Sequence, residues 1–195
     1  MSERTALLVL GLGNLLLEDD GVGPAAVTLL LDRYQPPPGV RVLDGGTLGL
    51  SLLPHLEEAE AVILVDAVRT DGAPGTFVRL DGDDVGPVVA TRLSPHQVGV
   101  ADLLDGARWL DRYPAHVVLL GLIPASMNLA VGLSPRVASA LPELVEHIVE
   151  EARRLGCEFR GVSHETRPAG RAGDLGPLAG MREYRQRPTA AVSNA

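Results

Sequence analysis

The sequence lacks lysine and has almost no cysteine. All 17 of its basic residues are arginines, which excludes catalysis through a lysine Schiff base and phosphate binding by a P-loop lysine. The single cysteine, Cys157, can form neither an internal disulfide nor a thiolate metal cluster. It follows the end of a predicted helix, and we interpret it as a structural residue.

Long apolar runs and excess positive charge are also absent. No run approaches the roughly 18 to 20 apolar residues of a membrane span. The N-terminal stretch MSERTALLVLG has no small-residue cleavage site and does not resemble a signal peptide. The net charge of −8 offers no footprint for nucleic acid or an anionic membrane. We therefore expect a cytoplasmic protein without a nucleic-acid partner and without membrane insertion.

What is present is an alternation of short apolar runs and amphipathic segments, typical of an α/β layered domain. The pattern predicts five strands and four helices. The short connection between the third and fourth strands determines the direction of the fourth. Residues 67–76 are too few for a parallel crossover, so the fourth strand should be antiparallel to its neighbours. The predicted strands cover residues 6–10, 40–43, 61–65, 77–80 and 117–122, and the predicted helices cover 23–34, 48–56, 97–110 and 134–155.

The chain divides by composition near residue 160. Residues 1–160 of the 195 suffice for one α/β domain with a substantial core. Residues 161–195 carry scattered arginines, glycines and prolines with little apolar periodicity. We interpret this second segment as a poorly ordered C-terminal tail.

The stretch GLGNLLLEDDGVG, at residues 11–23, raises the question of a nucleotide-binding loop. Gly11 and Gly13 fit a dinucleotide motif, but the third glycine should fall at position 16, which is leucine. The acids at positions 18–20 would also repel a pyrophosphate. A nucleotide-binding module is therefore kept as the alternative and is not the preferred interpretation.

Polar residues instead follow the predicted parallel strands, whose carboxyl ends form the usual site of an α/β sheet. The first strand leads to the acids at 18–20, the second to Asp44 and the third to Asp66. His96 would lie in the first turn of a helix, where the helix dipole favours the neutral imidazole that binds metals. Each of these residues alone also has an ordinary structural explanation. Together, two carboxylates and an imidazole would suit a divalent metal with open positions.

Five segments together resemble the hydrogenase maturation endopeptidases, which process the large subunit of nickel–iron hydrogenases. The matching segments are G-L-G-N-x-L-x-x-D-D-G-x-G at 11–23, D-G-G-T at 44–47, D-A at 66–67, S-P-H-Q at 94–97 and G-L-I-P at 121–124. The resemblance implies a three-layer α/β/α sandwich of the phosphorylase/hydrolase type, with a mixed, mostly parallel five-stranded sheet. It also implies metal binding by Asp20, Asp66 and His96, and substrate recognition by the turn of Asp44, Gly45, Gly46 and Thr47.

The implied reaction is removal of a C-terminal extension from the large-subunit precursor after nickel insertion. We expect water to attack the peptide carbonyl, and two versions are open. In one, nickel supplied by the substrate is ligated by Asp20, Asp66 and His96 and acts as a Lewis acid. In the other, the metal only docks the substrate and a carboxylate, Asp20 or Asp19, is the general base. Another divalent metal could fill the same site. The alternative function is that of a non-enzymatic nickel- or nucleotide-binding module. We expect the protein to be a monomer.

Overall fold

The computed structural model describes residues 5–85 and 100–162, and all structural statements below concern these two ranges. The α-helices are α1 (Val22–Arg33), α2 (Leu53–Glu57), α3 (Val100–Trp109) and α4 (Pro135–Arg154). The strands are β1 (Thr5–Leu12), β2 (Tyr34–Gln35), β3 (Val40–Gly46), β4 (Ala59–Ala67), β5 (Phe77–Asp81), β6 (His116–Leu122) and β7 (Arg160–Gly161).

Five of these strands form one mixed sheet in the spatial order β3-β1-β4-β6-β5. The pairs β1–β3, β1–β4 and β4–β6 are parallel, and β5 runs antiparallel to β6. The short connection between β4 and β5 contains no helix, and it leaves β5 only the antiparallel direction. The predicted fold class and the predicted antiparallel strand are both confirmed.

Helices cover both faces of the sheet and bury two apolar layers. On one face, α1 and α4 pack against alternate side chains of the strands, with Leu30 and Ile148 fully buried. On the other face, α2 and α3 contribute Leu56 and Leu104 to the second layer. The 20-residue α4 is amphipathic and not uniformly apolar. In the two described ranges, no helix combines the length and apolar character needed to cross a membrane.

All five strands of the sheet extend beyond their predicted bounds, and the extensions of β3 and β4 reach candidate site residues. Strand β4 includes Asp66, which pairs with Gly121 of β6, although the sequence suggested that the strand stops before the acid. Strand β3 continues through Asp44, which pairs with Gly11 of β1. Backbone pairing with a neighbouring strand explains the difference, since a strand needs ladder partners more than it needs apolar side chains.

The described chain ends with a pairing that the sequence did not predict. Strands β2 and β7 form a two-stranded antiparallel ribbon, and the Val162 N–H donates to the Arg33 carbonyl at 2.8 Å. The described fold therefore extends slightly beyond residue 160. The predicted tail from residue 163 onward, and the predicted helix start at 97–99, lie outside the described residues.

The strand order reverses between β1 and β4, and this reversal locates the crevice. The chain leaves β1 for β3 on one side and then returns to β4 on the other side of β1. In open α/β sheets the helices on either side of such a reversal diverge and leave a crevice beyond the carboxyl ends of the strands. The loops that follow β1 and β4 therefore border the same crevice.

Candidate active site

Two glycines let the loop after β1 fold tightly against the sheet. Gly13 has a φ of +125°, a conformation that L side chains rarely adopt. Gly23, in the first turn of α1, lies so close to the sheet that a Cβ there would come within 2.2 Å of the Leu12 carbonyl oxygen. Gly23 thus allows the close approach of helix and strand. In a dinucleotide-binding loop the third glycine of the motif, which would fall at position 16 of this sequence, has that role. Leu16 itself is 55% exposed and crowds nothing.

Gly13 also lies between the two acids predicted to converge. A Cβ built on Gly13 would fall 1.8 Å from the backbone carbonyl oxygen of Asp20 and 3.6 Å from Oδ1 of Asp66. The segment Glu18–Gly21 is a short 3-10 helix that leads directly into α1. The loop after β1 and the end of β4 are therefore in direct proximity, and Asp20 and Asp66 both adjoin the same glycine.

Both acids are buried at this position. Asp20 is 4% exposed, and its Oδ2 accepts the Asn14 backbone N–H at 2.8 Å. Among the described residues, no donor reaches the other oxygen of Asp20 and no arginine pairs with it. Asp66 is 1% exposed, and its Oδ1 accepts the Ala67 backbone N–H at 2.7 Å. Burial of carboxylates is costly unless their charge is compensated.

Asp19, considered from sequence as an alternative general base, has a different environment. It is fully buried, and its carboxylate accepts four hydrogen bonds from the loop at 123–134. The Ala125 and Ser126 backbone N–H groups donate to Oδ2 at 2.8 and 3.1 Å. The Ser134 hydroxyl donates to Oδ2 at 2.8 Å and the Ser134 backbone N–H donates to Oδ1 at 2.7 Å. Both oxygens of Asp19 are thus occupied.

The turn at 44–47 lies against the acid loop. The Gly13 N–H donates to the Gly46 carbonyl at 3.0 Å, and the Gly46 N–H donates to Oδ1 of Asp44 at 3.0 Å. Gly46 has a positive φ of +44°, while Gly45 is buried and Thr47 is exposed. Partial desolvation raises the pKa of the Asp44 carboxyl and the hydrogen bond from Gly46 lowers it, with desolvation the larger effect. Asp44 nevertheless faces solvent at the rim of the site.

The third predicted metal ligand, His96, lies in the range 86–99, outside the described residues. Within residues 5–85 and 100–162, no three histidine, cysteine, aspartate or glutamate side chains gather as a metal site. The described part thus contributes two neighbouring carboxylates and no complete set of three ligands. The assignment of Asp20, Asp66 and His96 as a metal set stays a prediction.

A cleft of about 230 Å³ lies beside these loops, and the sequence did not predict it. Arg69 and Thr70, which follow β4, line one side, and residues 123–127, which follow β6, line the other. The same segment 123–127 supplies the N–H groups that reach Asp19. The only sequence signal was that both segments follow parallel strands, which places them on the carboxyl edge of the sheet.

Exposed apolar side chains border the acid loop. Leu17 and Ala130 form a parallel β-bridge, which joins the segment at 14–18 to the loop at 123–134. Leu16 on the first segment, and Leu129 and Val131 on the second, are 55%, 83% and 64% exposed. Exposed apolar side chains on two segments that pair with each other are typical of a protein interaction surface.

The chain is similar to proteins of known activity. The family model for hydrogenase maturation proteases matches residues 24–151. The hydrogenase 2 maturation protease of Escherichia coli (strain K12) is 37% identical over 153 residues, covering 78% of this chain and 93% of the relative. The hydrogenase expression/formation protein HoxM of Azotobacter vinelandii is 39% identical over 177 residues, covering 89% and 80%. The structure of the E. coli hydrogenase maturating endopeptidase HybD gives a TM-score of 0.76 at 36% identity, covering 80% of this chain and 97% of that one.

Proposed function

The chain belongs to the hydrogenase maturation protease family, and from this premise we propose its substrate and its mechanism. We propose that it is the endopeptidase that removes the C-terminal extension of a nickel–iron hydrogenase large-subunit precursor after nickel insertion. The family establishes a peptidase. We propose, beyond this, which bond of the substrate is cleaved, that cleavage depends on nickel, and which residues take part.

The observation that carries the proposal is the environment of Asp20. This carboxylate is almost fully buried, yet in the described part of the chain its only hydrogen-bond donor is the Asn14 N–H. An ionised group in such a place is stabilised when a cation binds next to it. Asp66 adjoins the same glycine as Asp20, so two carboxyl groups lie close together on one side of the crevice.

We infer that the cation is the nickel carried by the precursor. Carboxylate and imidazole ligands suit a divalent metal of borderline hardness, and Asp20, Asp66 and His96 would supply three ligands. Such a set leaves positions for groups of the substrate. A precursor without nickel would offer no cation to the buried carboxylate of Asp20 and would therefore bind weakly. Cleavage would then depend on prior metal insertion.

The chemical step is hydrolysis of a peptide bond by water. Nickel held by the substrate supplies Lewis acidity, which polarises the carbonyl or a water molecule. In the second version of the mechanism, Asp20 takes the proton from the attacking water as the general base. In both versions the protein holds the scissile bond beside Asp20 and Asp66. Cys157 is not the nucleophile, since it is 9% exposed and burial raises the pKa of its thiol.

The partner is a protein, and two surfaces support this part of the proposal. The exposed apolar side chains Leu16, Leu129 and Val131 border the crevice. The turn of Asp44, which lies against the acid loop, presents an exposed carboxylate, and Leu48, directly after this turn, is also exposed. We propose that this turn contacts the precursor, so that Asp44→Ala weakens precursor binding. The cytoplasmic location and the monomeric state stay predictions from the sequence.

The geometry of the loop disfavours the nucleotide-binding alternative. A phosphate cradle needs free backbone N–H groups. Here the Gly13 N–H donates to Gly46, the Asn14 N–H to Asp20 and the Leu16 N–H to the Asn14 side chain. The loop therefore uses its own donors within the protein, and it adds buried acids where a phosphate would bind.

Cleavage of loaded and unloaded precursor tests the proposal. Purified protein is mixed with nickel-loaded or nickel-free large-subunit precursor, and loss of C-terminal mass is followed by mass spectrometry. We expect rapid cleavage of the loaded precursor only. Equal rates for the two forms would refute the dependence on nickel, and no cleavage of either would refute the proposed substrate.

Variants of the three proposed ligands test their roles. Asp20→Asn, Asp66→Asn and His96→Ala should each abolish processing, while the matched control Asp32→Asn, on an exposed position of α1, should process normally. Thermal unfolding shows whether each variant is folded. A melting temperature that rises with a dinucleotide, in a protein that cleaves no precursor, would instead support the non-enzymatic nucleotide-binding module.

A further inference from the structure

The carboxylate of Asp19 accepts four hydrogen bonds, and the mechanism proposed above can proceed with Asp20 as the only general base. Asp19 is fully buried. Its four donors come from Ala125, Ser126 and Ser134, which lie more than a hundred residues further along the chain. Hydrogen bonds to a charged acceptor are stronger than bonds between neutral groups. Asp19 is therefore a strong point of attachment between two distant segments.

The attachment involves the backbone as well as the side chain. The Asp19 N–H donates to the Ser126 carbonyl at 3.2 Å, and the Glu18 N–H donates to the Ala130 carbonyl at 2.9 Å. Ser134 precedes α4 at the N-cap position, but its hydroxyl makes no capping bond to the helix. The hydroxyl donates to Asp19 instead. The start of α4 and both ends of the loop at 123–134 are thus held by one carboxylate.

We propose that Asp19 is a positioning residue: it holds the loop at 123–134 in the conformation that forms one wall of the substrate cleft, and it takes no proton in the reaction. The inference rests on the proposed function for the identity of the substrate. Residues 123–127 of this loop line the cleft opposite Arg69 and Thr70. A displaced loop therefore changes the cleft that receives the precursor. In the proposed function it is Asp20, the adjacent residue, that would contact the nickel of the substrate.

The arrangement of the donors explains why even a conservative substitution should matter. Three donors reach Oδ2 and one reaches Oδ1. In Asp19→Asn, an NH₂ group replaces one of these oxygens. It then faces either the Ser134 N–H or the other three donors. Neither orientation of the amide can accept all four hydrogen bonds.

The test measures the loop and the reaction separately, in the full chain. Backbone hydrogen exchange, resolved by NMR, reports on the N–H groups of Ala125, Ser126 and Ser134. Steady-state cleavage of nickel-loaded precursor gives kcat and KM. For Asp19→Asn we expect exchange at these three groups to rise by about tenfold or more, KM to rise by about tenfold, and kcat to stay within about threefold of the unmodified protein.

Two serine variants give a milder version of the same test. Ser134→Ala removes one donor to Asp19 and should raise the exchange rates and KM by a smaller factor, whereas Ser134→Thr keeps the hydroxyl and should restore both. Ser139→Ala is the matched control, because Ser139 occupies an exposed position of α4 and its hydroxyl donates to the Arg136 carbonyl. It should change neither quantity. These variants decide the question if Asp19→Asn does not fold.

Three outcomes would overturn the proposal. A fall in kcat of about 100-fold or more, with unchanged KM and unchanged exchange, would make Asp19 the general base. Faster exchange without any change in KM would show that the conformation of the loop does not affect substrate binding. Unchanged exchange in both Asp19→Asn and Ser134→Ala would show that the carboxylate does not hold the loop. If the unmodified protein cleaves no precursor, the proposed function fails, and the exchange rates still test whether Asp19 holds the loop.

Discussion

Replacing Gly23 with alanine should destabilise the protein, although the same change in an ordinary helix stabilises. A Cβ at Gly23 would lie 2.2 Å from the Leu12 carbonyl oxygen, 2.3 Å from the Val65 carbonyl oxygen and 2.4 Å from the Leu12 nitrogen. These are backbone atoms of two adjacent central strands, β1 and β4. They cannot rotate away as the end of a side chain could, so the start of α1 must move.

The size of the effect follows from that distance. Cβ atoms almost never approach another heavy atom within 3.0 Å, so the helix start must shift by at least about 0.8 Å. Overpacking of a well-packed core costs about 1 to 3 kcal/mol and sometimes more. The higher helix propensity of alanine offsets about 0.5 to 1 kcal/mol of this cost. Because rigid backbone opposes the added methyl group, we expect a net loss of about 2 kcal/mol.

Gly106 offers a matched control with the opposite sign. It lies within α3, and a Cβ there would meet only Leu53 side-chain atoms at 3.7 and 3.8 Å, which is ordinary contact. Gly106→Ala should therefore stabilise the protein by about 0.5 to 1 kcal/mol. Equilibrium urea unfolding of both variants measures the two changes, and equal m-values would show that the comparison is valid.

The Gly23 variant should also lose activity under conditions in which it is folded. Asp20 lies in the 3-10 turn that leads directly into α1, so a shift of the helix start moves the proposed metal ligand. We expect precursor cleavage to fall by about tenfold or more, since small displacements of catalytic groups have large effects. A Gly23→Ala protein as stable as the unmodified chain, or more stable, would refute the packing argument.

Three further predictions concern single side chains. Desolvation raises the folded-state pKa of Asp44 above its ordinary value, so ionised Asp44 lowers the stability of the protein at neutral pH. Asp44→Asn should therefore raise Tm at pH 7, and this gain should disappear as the pH falls below about 4. Thermal unfolding at a series of pH values measures both effects. Cys157→Ser should leave processing unchanged, and Cys157 should react with a thiol reagent far more slowly than free cysteine at pH 7.5, because it is buried and its pKa is raised. Glu151 is 6% exposed and receives two hydrogen bonds from Arg79 at 2.9 and 3.0 Å, so Glu151→Gln should lower the free energy of unfolding by about 1 to 3 kcal/mol in urea titration. Glu150→Gln is the control and should change the midpoint little, because the ion pairs of Glu150 with Arg153 and Arg154 lie at the surface.

Local and periodic features were predictable from the sequence alone. The apolar runs identified the five strands of the sheet, and the short β4–β5 connection determined the antiparallel strand, because chain length limits how a crossover can be made. The motif spacing indicated the protease family. Proline at the first position of α4 and glycine after its end predicted that helix to within a residue or two.

The contacts of the acids were decided only by the tertiary structure. Asp19 and Asp20 are neighbours of the same residue type, and nothing in the local sequence separates them. In the folded chain one carboxylate receives four donors from the loop at 123–134, and the other receives one donor from its own loop. The division depends on which distant backbone N–H groups the fold brings to each oxygen. Propensity and periodicity describe only neighbours along the chain, so they carry no information about such contacts.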